Sequence, residues 1–167
     1  AITFTPAELR AATEAAGNWG TYVTVHAYTP DAVRQAIESG VKVIEHASLM
    51  DEETAQLMQR KGIWLSIQPF PAELGNAFPP GSQERAKFNE VFTGNNHAYD
   101  LAKKYKLKTA WGTDVLFSAA LAAQQGAILA SLTRWYTPGE ALVMATGTNA
   151  ELLQLTGKRN PYPGKLG

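Results

Sequence analysis

Cysteine is absent from the 167 residues, which excludes disulfides and thiolate metal sites and leaves the compartment open. Neither sign of charge is in excess: 15 basic side chains balance 15 acidic ones, a formal net of zero. No nucleic-acid or membrane partner is expected, because such footprints need surplus Lys and Arg. No uninterrupted apolar run approaches the ~18 residues that a membrane helix requires. The opening Ala1-Ile2-Thr3-Phe4 has no initiator methionine and no basic region ahead of an apolar stretch, which reads as the loss of something upstream. There is no Walker loop and no G-x-G-x-x-G opening a helix, and Ser48 and Ser66 lack the context of a nucleophile elbow. What is present is a globular composition, 45% hydrophobic and 18% charged, in a chain sized for a single domain over 1–167 with a buried core.

Helix starts and stops are legible along the chain. Thr5-Pro6-Ala7-Glu8 is a capping box with proline at the first helical position, and Leu9, Ala12, Ala15 and Ala16 follow as an apolar stripe. The β-branched and aromatic run Tyr22 to Tyr28 predicts a strand. Thr29-Pro30 starts a second helix, buried through Ala32, Val33, Ala36 and Ile37, and Gly40 ends it where a left-handed residue is wanted. Val41 to His46 is the next strand. Asp51 caps a third helix carrying Thr54, Leu57 and Met58, Gly62 closes it, and Ile63 to Gln68 is the third strand. Pro69 to Gly81 predicts a long loop, followed by a helix from about Gln83 to Tyr105. Leu107 to Asp114 is the fourth strand and its exit. Three more helices are expected: about Ser118 to Trp135, one opened by Thr137-Pro138-Gly139-Glu140, and a short one opened by Thr148-Asn149-Ala150-Glu151 and ended by Gly157. The tail from Lys158 to Gly164 is irregular. The four tryptophans read as core and interlayer packing.

Strand, helix, glycine, strand with short connections is the pattern of parallel βα units. A closed (β/α)8 barrel takes ~250 residues, and half of one takes ~125. Four parallel strands can form an open sheet or a (βα)4 half of a TIM-type barrel, here with extra C-terminal helices.

In a parallel sheet the ligand site lies at the strands' C-terminal ends. His26 ends the first strand, His46 the second, Gln68 the third and Asp114 the fourth. Alternation places Thr24 with His26, Ile44 with His46, Ser66 with Gln68, and Ala110 with Asp114. If each of those faces is the inner one, two imidazoles and a carboxylate converge on one mouth, a donor set that suits zinc and similar divalent ions. Each residue also has a plainer reading: a hydrogen-bonded histidine, or an aspartate capping a helix. Their recurrence at one structural point in three of four units favours a shared site. Gln68 either orients substrate or satisfies a backbone group. Tyr28 is in phase with His26 and either lines the mouth or packs on the next helix. His97, on the helix after the long loop, is expected outside the site.

Val23-Thr24-Val25-His26-Ala27, Val43-Ile44-Glu45-His46-Ala47 and Trp111-Gly112-Thr113-Asp114 resemble the later strands of the amidohydrolase superfamily, in its imidazolonepropionase-like and Xaa-Pro dipeptidase-like branch. Thr148-Asn149-Ala150 and Gly164-Lys165-Leu166-Gly167 resemble that family's passage from the last barrel helix into a small β domain. The resemblance implies a (β/α)8 barrel hydrolysing amide, peptide or cyclic-amide bonds of a small-molecule or dipeptide-like substrate, with one or two divalent metals, usually zinc. It implies that His26 and His46 are the ligands of strands five and six. Asp114 would then ligate metal and act as general base for the hydrolytic water, with Gln68 and Tyr28 as candidate substrate contacts. The family's His-x-His of strand one and carboxylated lysine of strand four have no counterpart here. The chain is therefore expected to be the C-terminal half of a barrel, inactive alone, pairing with a missing N-terminal half or with itself. The alternative is a non-catalytic half-barrel acting as a structural or binding module.

Overall fold

The computed structural model describes residues 2–116 and 118–159. Helix α1 (Pro6–Asn18) begins on the expected capping box: Thr5 Oγ1 accepts from the Glu8 amide, and the Glu8 carboxylate accepts from the Thr5 amide. Strand β1 (Thr24–Ala27), helix α2 (Pro30–Glu38), strand β2 (Val43–His46), helix α3 (Glu52–Lys61) and strand β3 (Trp64–Ile67) follow in the predicted alternation. Gly40 (φ 93°) and Gly62 (φ 64°) adopt the left-handed conformation that lets each helix turn directly into its strand. Within the long connection, Ala72–Ala77 forms a 3₁₀ turn ahead of α4 (Gln83–Lys104), which is capped by Ser82. Strand β4 (Lys108–Trp111) comes next.

The four strands form one parallel sheet in the order β1-β2-β3-β4. One face carries Val25, Ala27, Ile44, Leu65 and Ile67, packed under Val33 and Ile37 of α2, Met58 of α3 and Tyr99 and Leu101 of α4. Val33, Ile44, Met58, Leu65 and Ile67 are fully buried. Each such side chain contributes about 1.5–3 kcal/mol, so this face anchors the sheet. The opposite face holds a smaller cluster of Val43, Trp64 and Ala110, with Tyr22 and Leu152 against it. The α1 stripe is an exception to its pattern: no residue of α1 is buried. Leu9 and Ala12 instead line a cavity of about 550 Å3 beside β1, shared with Ile2, Phe4 and Val25.

The C-terminal third departs most from the sequence reading. The helix expected from Ser118 to Trp135 is broken into α5 (Ala119–Ala122), α6 (Gln125–Ala130) and a 3₁₀ turn at Ser131–Arg134. Gly126, a weak helix former, sits beside the break. Helix α7 (Pro138–Val143) has its capping box between Thr137 and Glu140. The chain then passes through a π-helical turn, Met144–Thr148, straight into α8 (Asn149–Leu153). Thr148 is therefore not a cap: its backbone is helical and its side chain makes no capping bond. Gly157 breaks the following turn (φ 55°, ψ −125°). The tail from Asn160, including Gly164 to Gly167, lies outside the described residues. Of the tryptophans, Trp64 is buried and Trp135 stacks on Tyr99, whereas Trp19 is 63% exposed and is not a core residue.

Candidate functional site

Strict alternation cannot bring the two histidines together. His26 is paired in register with Glu45, and Thr24 donates to Glu45 Oε1 at 2.7 Å, so these side chains share the face away from the helices. Ile44 lies in the helix-side core, which corrects the expectation that Ile44 and His46 share the inner face. His46 is in phase with Ile44 but leaves the strand with φ 74°, and Ala47 follows at φ 47°. These left-handed residues cost about 1–3 kcal/mol each, and such strain concentrates at functional sites. The turn swings the His46 ring round to the mouth. There His26 Nδ1 and His46 Nε2 stand 2.6 Å apart.

The pair is built in from behind. His46 Nδ1 lies 2.7 Å from Gln68 Oε1, and since a carbonyl oxygen only accepts, Nδ1 carries the proton and Nε2 offers its lone pair. Tyr28 stacks on His46 with ring centroids 4.7 Å apart. His46 and Gln68 are buried while His26 is exposed, so the pair opens to one side. Asp114, exposed and at φ 51°, follows Gly112 and Thr113 at the end of β4. Its charge reaches both Tyr28 and His46. His97 is exposed on α4.

Sequence reasoning missed the supports. Asn95, two residues before His97, is buried, donates to the Gln68 carbonyl at 2.8 Å and accepts from Ser48 Oγ at 3.4 Å. Asn95 thus joins the exits of β2 and β3 through α4. The available signal was Gly94, which marks a close helix approach.

Burial holds the pKa of His46 below the ordinary histidine value, and the neighbouring His26 pushes the same way, against the Gln68 hydrogen bond. Tyr28 is raised, first by burial and then by Asp114. The sign for stability follows. With its pKa depressed in the folded state, His46 contributes stability that is fully present above the unfolded value of about 6.5 and is lost as the pH falls towards the folded value. In metal-free protein, the urea midpoint should therefore drop below that pH, and His46→Asn should flatten the drop. An equally steep drop in the variant would assign proton uptake elsewhere.

The residues fit part of a zinc shell. Both nitrogens can offer lone pairs at once if His26 holds its proton on Nε2. Two imidazoles on one tetrahedral zinc, bound at about 2.0–2.1 Å, stand about 3.3 Å apart, so an ion would replace the direct contact by parting the rings slightly. Among the described residues, no three His, Cys, Asp or Glu side chains cluster as a complete metal site.

The profile of the amidohydrolase family matches residues 1–158. The chain belongs to the amidohydrolase family. It is 30% identical to ochratoxinase of Aspergillus niger over 98% of this chain and 34% of that protein. The crystal structure of an amidohydrolase superposes with a TM-score of 0.80 at 31% identity, over 91% of this chain and 37% of the other. A prolidase complexed with N-methylphosphonate-L-proline gives a TM-score of 0.82 at 27% identity, over 99% and 40%. The chain thus spans about a third of the curated relative's length. Its parallel (βα)4 sheet corresponds to half of the family's TIM-type barrel.

Proposed function

We propose that this amidohydrolase chain carries part of the active site of a metal-dependent hydrolase of amide, peptide or cyclic-amide C–N bonds. The carrying observation is the 2.6 Å approach of His26 Nδ1 and His46 Nε2 at the strands' C-terminal ends. His26 and His46 would hold the ion, and Asp114, which does not cluster with them among the described residues, would join its shell when the ion is bound. A bound divalent ion, by our reading zinc, lowers the pKa of water to about 7 and polarises the scissile carbonyl. The chain's own groups do the rest. Gln68 fixes the His46 tautomer, so that Nε2 faces the site. The Asp114 carboxylate takes the attacking water's proton and passes it to the leaving nitrogen. Tyr28, stacked beside His46, is placed to contact substrate.

Substrates of the Xaa-Pro or N-acyl amino-acid type suit this reading. The prolidase neighbour binds a phosphonate of proline, whose tetrahedral phosphorus mimics an attacked amide carbon. Two family groups, the His-x-His and the lysine, must come from elsewhere. The apolar cavity at the open side of β1 supports packing of further barrel elements there, from the same polypeptide or a second copy.

The test uses the complete protein and a panel of Xaa-Pro dipeptides. Removing metal by chelation should abolish hydrolysis, added zinc should restore it, and His46→Ala should lower bound zinc. Full turnover by metal-free protein would overturn the reading.

A further inference from the structure

Asp114 stands exposed on a turn whose Gly112, Thr113 and Val115 are only half-buried. Gly112 has no atom within 4 Å of the position a Cβ would take, Asp114 is exposed, and Leu116 is 65% exposed. The last fixed point before that turn is Trp111, which packs against the main core at the end of the edge strand β4. Both backbone hydrogen-bonding groups of Trp111 are taken by one side chain. The Trp111 N–H donates to Asn149 Oδ1 at 2.9 Å, and Asn149 Nδ2 donates to the Trp111 carbonyl at 2.8 Å. A carboxamide here does what a neighbouring strand's peptide group does in a sheet.

The local helix is shaped to deliver that contact. The π-helical turn Met144–Thr148 adds a residue to the helical repeat immediately before Asn149. Such turns are costly and are frequent at functional sites. A second bond, from Asn149 Nδ2 to the Ala145 carbonyl at 3.4 Å, ties the amide back to its own turn. We propose that Asn149 is a positioning residue for Asp114: by holding Trp111 at both backbone groups, it sets where the chain leaves β4 and hence where the carboxylate stands. The inference rests on the hydrolase reading above for what Asp114 does, while Asn149's hold on the turn can be measured without any activity.

The experiment compares the complete, zinc-loaded protein with Asn149→Leu, which keeps the side chain's shape and removes all three of its hydrogen bonds. Amide hydrogen exchange across Trp111 to Asp114 should quicken about tenfold or more. On an Xaa-Pro dipeptide, kcat should fall about 10- to 100-fold, with KM and bound zinc within about twofold of the parent. A merely structural asparagine would lower the folded fraction while leaving kcat per folded, zinc-loaded molecule unchanged, and that result overturns the proposal. Unchanged exchange at Trp111 to Asp114 overturns it as well. Asn149→Asp, which keeps an acceptor for the Trp111 N–H and loses the donor to its carbonyl, serves if the leucine variant does not fold, and it should fall between parent and leucine where both can be measured. A parent without amide hydrolysis sinks the hydrolase reading alone, and exchange then decides whether Asn149 holds the turn.

Discussion

Gly94→Ala is expected to lower the urea midpoint sharply and to cut the soluble yield. A Cβ at this position would stand 2.4 Å from the Ser48 carbonyl oxygen and 2.7 Å from Leu49 Cδ2. Leu49 Cδ2 ends a flexible side chain and can rotate away, but the Ser48 backbone carbonyl cannot retreat cheaply. Ser48 lies between Ala47 and Met50, both buried, and the Leu49 amide is bonded to the Tyr28 carbonyl at 3.0 Å. Helix α4 would have to move instead. That breaks the Asn95 bond to the Gln68 carbonyl and the Tyr99 hydroxyl bond to the Ile67 carbonyl at 3.3 Å. Overpacking costs about 1–3 kcal/mol and occasionally more, and against backbone the upper end is expected, a large share of a typical stability of about 5–15 kcal/mol. Gly62→Ala is the internal control. Its φ of 64° penalises a side chain by about 1 kcal/mol, but nothing lies within 4 Å to clash. Soluble yield and the urea midpoint read both variants. If Gly94→Ala unfolds at the parent's midpoint, α4 is not seated on the β2 exit as described.

The parts of this fold that were legible in the sequence are those set by local chemistry. Thr5 with Glu8, Asp51, Gly40 and Gly62 each announce a helix end through a backbone requirement that few residue types meet, and each stands where expected. Parallel order followed from the repeated helix, glycine, strand unit. The breaks after Ser118 were hidden, because the alanine- and leucine-rich run keeps a helical pattern while its real interruptions depend on what it packs against. The π-helical turn was hidden for a different reason. Thr148-Asn149-Ala150-Glu151 imitates a capping box, yet Asn149 is occupied by strand β4, with α5, α6 and α7 between the two in the chain. At the site, the residue types were readable and the facing of His46 was not. Period-two alternation sends His46 to the helix side with Ile44, and only a left-handed turn brings it back. No glycine marks that turn, so the sequence carries no sign of it.

Asp114→Asn should reduce hydrolysis by about 10²–10⁴-fold, the usual contribution of a positioned proton acceptor, with bound zinc largely retained through His26 and His46. The substitution is unusually clean for this position. Asp114 sits at φ 51°, and asparagine tolerates the left-handed region as readily as aspartate, so the backbone of the turn is kept. What is lost is the charge and the ability to accept a proton. Removing the charge has a second consequence that needs no turnover. Asp114 is one of the two causes that raise the Tyr28 pKa, so the tyrosine should titrate at lower pH in the variant, as read by its ultraviolet absorbance. An unmoved Tyr28 together with full activity would remove Asp114 from the site. A lowered Tyr28 pKa with full activity would keep Asp114 beside His46 and assign the water's proton to another group. Only the joint loss, a lower Tyr28 pKa and a collapsed kcat with zinc still bound, puts the carboxylate both in place and in the reaction.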